Sequence, residues 1–240
     1  MLNLNALKVK IFADGADLKG IEGLNKNPII KGFTTNPTLM RKSNIKNYRL
    51  FAIDVIKMVK PHPVSFEVFS DEFDIMEKQA LQIASWGENV YVKIPITNTR
   101  GDDAGPLVGR LTNLGVKVNV TALMTTKQVE HIADYLAEGT PSCVSVFAGR
   151  IADAGRDPVP IMAEAVRLLQ RKPLAELIWA SPRELLNILQ AESIGCHIIT
   201  VTHDLLAKIP LIGKDLSEYS LETVQMFCND AVQAGFNIEI

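Results

Sequence analysis

Apolar residues in this chain gather into eight short runs, at 9–13, 29–34, 64–69, 90–94, 116–121, 143–147, 177–180 and 198–201. The fourth is rich in β-branched types and closes on Pro95, the pattern of a short strand buried on both faces. Between consecutive runs the apolar positions recur at helical spacing, as in Phe51, Val55 and Met58 or Leu81 and Ala84. Cap signals agree with this reading. The stretch from Thr125 to Gly139 predicts a helix that opens on a Thr cap and ends at glycine. Ser181-Pro182-Arg183-Glu184 reads as a capping box, with Pro in the first helical position and Glu three residues after the Ser. Strict strand-then-helix alternation without a polar linker predicts an α/β chain with a parallel sheet. Eight repeats favour a single (β/α)₈ barrel spanning 1–240 over an open sheet, and no glycine-rich turn follows the first run to suggest a dinucleotide site. A surplus helix is expected over about 220–233. Its Leu221, Val224, Phe227, Cys228 and Ala231 form one stripe that must cover something apolar, on this barrel or on a neighbour.

Composition narrows the class. At 47% hydrophobic, 22% charged and a formal net charge of −2, the chain has no basic excess for nucleic acid. No apolar stretch approaches membrane-spanning length, and the first residues lack the apolar centre of a signal peptide. Cys143, Cys196 and Cys228 are odd in number, widely spaced and set in apolar segments, so buried reduced thiols and a cytoplasmic location are expected. The four His residues have no zinc-ligand spacing, so no metal site is expected. Small-molecule substrates and a homo-oligomer, without nucleic-acid or membrane partners, complete the expectation.

Candidate chemistry centres on Lys93, alone among apolar residues in the fourth run. Side chains alternate along a strand, so Tyr91 and Lys93 share one face while Val90, Val92 and Ile94 take the other. Burial weakens an amine's hold on its proton, and a neutral amine attacks carbonyls and forms Schiff bases. A Lys whose stem packs while its head reaches solvent is the ordinary alternative. In barrels of this kind the chemistry lies at the C-terminal ends of the strands. Those ends supply Asp14, Asn36, Glu67, Asn119, Thr121, Ser145, Arg150, Ser181 and Arg183, one or two polar groups per strand. Each also has a plain structural reading: Asp14 or Asp17 as a helix cap, Asn36-Pro37 as a turn, Ser181 as a cap, Arg150 as a partner of Asp153. Arg150, Ser181 and Arg183 together suit an anion, because late loops and helix N-termini in such barrels bind phosphate.

The segments Phe12-Ala13-Asp14-Gly15-Ala16-Asp17, Gly32-Phe33-Thr34-Thr35-Asn36-Pro37, Val92-Lys93-Ile94-Pro95, Asn119-Val120-Thr121-Ala122, Phe147-Ala148-Gly149-Arg150 and Ala180-Ser181-Pro182-Arg183 resemble, in order and spacing, the motifs of the transaldolase family in its small-subunit branch. The resemblance implies transfer of a dihydroxyacetone unit between sugar phosphates of the pentose phosphate pathway, without metal or cofactor. It implies that Lys93 forms the Schiff base, that Asp14 takes the proton during carbon–carbon cleavage, and that Glu67 with Thr121 activates a water. It further implies that Asn36, Asn119 and Ser145 bind hydroxyls or the carbinolamine, and that Arg150, Ser181 and Arg183 hold the phosphate. Three features depart from the pattern. Gly15 stands where a hydroxyl residue is usual, Pro182 removes a backbone donor, and the segment 98–103 is unusually charged. Two alternatives stand beside this reading: a fructose 6-phosphate aldolase that releases free dihydroxyacetone, and a sugar-phosphate-binding barrel without turnover. Glu67 and Phe147, where the aldolases carry Gln and Tyr, favour transfer.

Overall fold

The structure, a computed structural model, describes residues 6–239. Eight parallel strands close into a barrel in sequence order: β1 (Lys10–Asp14), β2 (Ile30–Thr34), β3 (Val64–Glu67), β4 (Val90–Pro95), β5 (Val118–Leu123), β6 (Ser142–Val146), β7 (Ala175–Trp179) and β8 (Ile198–Thr202). The barrel closes because β1 pairs with both β2 and β8. The helices between them are α1 (Leu18–Asn25), α2 (Pro37–Lys42), α3 (Tyr48–Val59), α4 (Phe73–Ala84), α5 (Gly105–Asn113), α6 (Thr126–Tyr135), α7 (Ala148–Asp153), α8 (Pro158–Leu169) and α9 (Leu186–Ser193). After β8 come α10 (His203–Leu206) and α11 (Leu216–Gln233). This is the (β/α)₈ barrel expected from the alternation of runs.

Alternation along the strands sorts side chains into two cores. Ile11, Ala13, Val64, Phe66, Val92, Ile94, Val118, Val120, Val144 and Leu177 face outward and are buried under the helices. Each Val, Leu, Ile or Phe among them contributes about 1.5–3 kcal/mol on burial, and a one-residue slip would turn it into the polar lumen. Inside the barrel, Phe12, Cys143, Ile178, Ala180 and Ile198 form a second cluster with Tyr91 and Phe147 packed on it. Phe12, Tyr91 and Cys143 lie two residues before Asp14, Lys93 and Ser145 on their strands. The lumen is therefore apolar one layer below its polar end.

Several boundaries differ from the sequence expectation. Ser181 is not a helix cap: its backbone is left-handed (φ 60°), and α9 begins five residues later at Leu186 without a side-chain cap. The bond that Ser181 would have made is taken by Asn187, whose Oδ1 accepts from the N–H groups of Arg183 (2.8 Å) and Glu184 (3.1 Å). Helix α6 opens on Thr125 with a full capping box but stops at Tyr135, well before Gly139. Beyond it the backbone bonds outward, Ala137 N–H to Thr112 Oγ1 and Leu136 carbonyl to Lys172, so the helix is not continued. The surplus helix starts at Leu216, where Asp215 accepts from the N–H groups of Ser217 and Glu218. None of its residues is buried, so Cys228 is exposed, contrary to expectation, while Cys143 and Cys196 are buried. Among the described residues no helix is long and apolar enough to cross a membrane.

Candidate active site

Strand register sets the centre of the site. Glu67 pairs with Lys93 across β3 and β4, and Lys93 pairs with Asn119 across β4 and β5. All three side chains point inward. The Lys93 Nζ lies 3.2 Å from Glu67 Oε1 and donates to the Thr35 carbonyl. Its stem is packed, but its head does not reach solvent as a surface lysine's would: its side chain is 12% exposed and that of Glu67 9%. Thr35 Oγ1 stands 3.0 Å from both Glu67 Oε2 and the Ser65 carbonyl, and the Tyr48 hydroxyl donates to the Glu67 carbonyl at 2.9 Å. Burial raises the proton affinity of Glu67 above the usual carboxylate range, against the opposing pull of the Lys93 charge.

Asp14, at the end of β1, is held from β2. Thr34 Oγ1 donates to its Oδ1 at 2.7 Å, and Asn36 Nδ2 donates to its Oδ2 at 3.2 Å. Since Thr34 has one hydroxyl proton, the 2.5 Å contact with Thr200 must run from Thr200 to Thr34, making a chain Thr200→Thr34→Asp14. Asn36 serves twice, because its Oδ1 also caps α2 by accepting from Leu39 N–H. Asp17, not Asp14, caps α1. Burial raises the Asp14 proton affinity too, with the Lys93 charge lowering it in opposition. Asn119, fully buried, donates to Ser65 Oγ at 3.1 Å and accepts from Ser145 Oγ at 2.7 Å. It braces the floor from beneath. A cavity of about 540 Å³ opens above Lys93, Glu67, Asp14 and Ser145.

A sequence model of the family described as Transaldolase/Fructose-6-phosphate aldolase matches residues 11–239. The chain belongs to that family. A protein of Thermoanaerobacter sp. (strain X514) named "Probable transaldolase" is 32% identical over 234 residues, covering 96% of this chain and 100% of its own. A protein of the same name from Methanococcus maripaludis (strain C5) is 31% identical over 215 residues, covering 88% of this chain and 95% of its own. Among solved structures, the N-acetylmannosamine-6-phosphate 2-epimerase from Clostridium perfringens superposes with a TM-score of 0.54 at 12% identity, covering 84% of this chain and 90% of that one. That likeness shows the barrel fold.

In this transaldolase/aldolase-family barrel the remaining candidates line the mouth of the cavity: Asn36, Thr121, Phe147, Arg150, Ser181 and Arg183. Arg150 does not pair with Asp153. Arg183 takes that carboxylate, with Nε 2.9 Å from Oδ1, and the Arg150 guanidinium has no hydrogen-bond or ion-pair partner among the described residues. The pairing holds the Asp153 carboxyl below its usual range. Close approach shapes this rim: a Cβ at Gly149 would stand 1.5 Å from the Ser181 carbonyl oxygen, so only glycine lets α7 meet the 181–185 loop. The charged segment 98–103 lies beside the β3 loop. Buried Asn98 organises its turn, and Arg100 bridges Glu72, Asp71 and Asp102. Sequence reasoning gave no role to Thr34, Thr35, Thr200, Tyr48 or Asn187. Inward parity in β8 marks Thr200, but nothing local marks Tyr48, which reaches the site from α3. Among the described residues no three of His, Cys, Asp and Glu converge as metal ligands. The arrangement joins an amine beside a carboxyl of raised proton affinity, a second carboxyl on the far wall, and an unpaired guanidinium at the mouth.

Proposed function

We propose that this protein is a Schiff-base transaldolase: it moves a dihydroxyacetone unit from a ketose phosphate, such as fructose 6-phosphate or sedoheptulose 7-phosphate, to an aldose phosphate. The observation that carries this reading is the Lys93–Glu67 pair, 3.2 Å apart on the cavity floor. Glu67, with its raised proton affinity, takes a proton from Nζ. The freed lone pair attacks the ketose carbonyl, and the carbinolamine loses water as Glu67 returns the proton through a water held by Thr121. Asp14 then accepts the proton of the C4 hydroxyl. The C3–C4 bond breaks, and its electron pair moves into the iminium to give an enamine. The aldehyde leaves, and an acceptor aldehyde adds by the reverse path. Asn36 and Ser145, braced by Asn119, hold hydroxyls. Arg150, with Ser181 and Arg183, holds the phosphate, for which a forked guanidinium is suited.

Transfer is favoured over release by Phe147. Free dihydroxyacetone requires protonation at C3 of the enamine and hydrolysis of the imine. Phe147 lines the cavity and has no group to donate or accept a hydrogen bond, so it places no water for that route. Turnover of fructose 6-phosphate should therefore depend on an added acceptor such as erythrose 4-phosphate, and Phe147→Tyr should raise acceptor-free release. Equal rates of wild-type cleavage with and without acceptor would make the aldolase reading the better one.

A further inference from the structure

Thr35, the first residue after β2, touches both members of the Lys93–Glu67 pair. Its carbonyl accepts from Lys93 Nζ, and its hydroxyl donates to Glu67 Oε2 at 3.0 Å. The other carboxylate oxygen, Oε1, is the one that faces Nζ, at 3.2 Å. Thr35 is itself fully buried and stands behind the pair, outside the cavity lining, so a substrate meets it only through these two neighbours. Backbone pairing fixes its place: Thr34 pairs with Ser65 across β2 and β3, and Thr35 N–H reaches the Ser65 carbonyl at 3.4 Å. Thr34, one residue earlier, turns its hydroxyl the other way, to Asp14. The end of β2 thus serves each carboxyl of the site with a separate hydroxyl.

We propose that Thr35 is a positioning residue for the proton transfers of Schiff-base formation: it holds Nζ and Glu67 Oε2 from behind and leaves Oε1 as the oxygen that exchanges the proton. The proposal rests on the reading of Lys93 as the covalent amine. In the transfer an N–H bond breaks, its electron pair stays on Nζ, and an O–H bond forms at Oε1. The Thr35 hydroxyl has one proton and two acceptors, Glu67 Oε2 and the Ser65 carbonyl, each at 3.0 Å. Toward an ionised Glu67 it makes a charge-assisted bond, the stronger of the two. Once Glu67 is protonated and uncharged, the hydroxyl can turn to Ser65 without being stranded in the interior. It therefore favours the carboxylate, against the burial that raises the proton affinity of Glu67. The ionisable groups that face Glu67 are Lys93 from β4 and the Tyr48 phenol from α3, which is bonded to the Glu67 carbonyl. Among the described residues only Thr35 donates to Oε2.

The test uses dihydroxyacetone, a ketone with no C4 hydroxyl for Asp14 to deprotonate, so imine formation is read without the cleavage step. Mass spectrometry follows the rate at which a borohydride-reducible adduct forms on Lys93, across pH, in the wild type, Thr35→Val, Thr35→Ser and Thr35→Ala. Val keeps the branched shape and removes the hydroxyl. Thr35→Val should move the acid limb of that rate up by roughly one pH unit, which is about tenfold slower adduct formation on the limb. Thr35→Ser keeps the hydroxyl and should return the limb toward the wild type. A Thr35→Val profile that overlays the wild type, or one slowed equally at every pH with its limb unmoved, would overturn the role of Thr35 and leave the reaction assignment intact. Thr35→Ser and Thr35→Ala differ only in the hydroxyl, so they decide the matter should Thr35→Val not fold, and equal limbs in these two would overturn the proposal. A wild type that forms no adduct on Lys93 would instead overturn the reaction assignment.

Discussion

Ionised carboxylates in this lumen cost more than in water, and Asp14 and Glu67 both bear that cost. Each has a folded-state proton affinity above its unfolded value, raised chiefly by burial. The folded protein therefore binds these protons at a pH where the unfolded chain has released them. Their contribution favours folding as pH falls through the raised values, and it is unfavourable at pH 7. Asp14→Asn keeps the shape and removes the charge. It should raise Tm at pH 7, by roughly 2–4 °C for each kcal/mol regained, while kcat falls by about 100-fold or more. A lower Tm in calorimetry would mean that the Thr34 and Asn36 bonds outweigh desolvation. At the cavity mouth, Arg150→Ala should raise KM for phosphorylated ketoses by about 10–100-fold and spare unphosphorylated aldehydes, since a charged hydrogen bond is worth roughly 1.5–3 kcal/mol. Equal loss on both substrate kinds would remove Arg150 from that role. Lys93, Glu67 and Asp14 were legible as inward polar residues at strand ends. The Thr200–Thr34 chain was not, because strand parity tells which residues face inward but not which of them touch.

At the scale of elements, alternation located all eight strands to within a few residues, because β-branched runs buried on both faces leave few other solutions. Misread ends had tertiary causes. Asn187 takes over the backbone donors beside Ser181, and Thr112 and Lys172 draw the chain after Tyr135 out of its helix. Helix α11 is the element whose sequence and surroundings disagree most. Leu216, Leu221, Val224 and Phe227 are 58–80% exposed, and a stripe of this size is expected to be covered in solution. The segment 214–239 carries Lys214 against Asp215, Glu218, Glu222, Asp230 and Glu239, whereas the rest of the chain has a slight basic excess. A second copy of the chain is therefore the expected cover. Light scattering should give a mass above the 26.4 kDa of one chain, and Phe227→Asp should lower it. A monomeric wild type would refute this prediction.

At the scale of the whole molecule, closure of the barrel brings β1 and β4 to opposite walls of one cavity, so that Asp14 and Lys93, far apart in sequence, act on each other's charge. The apolar layer of Phe12, Tyr91, Cys143 and Ile198 lies beneath them, so the polar end of the lumen opens only toward the mouth. Family membership follows from the match over 11–239, and the reaction proposed for this member turns on a covalent bond to one amine. Mass spectrometry after borohydride reduction in the presence of fructose 6-phosphate measures that bond directly. The account predicts a reduced adduct of the three-carbon or six-carbon fragment on the peptide bearing Lys93, absent in a folded Lys93→Met variant that has lost turnover. An unmodified Lys93 in an enzyme that still turns over, or a Lys93→Met variant that retains activity, would contradict it.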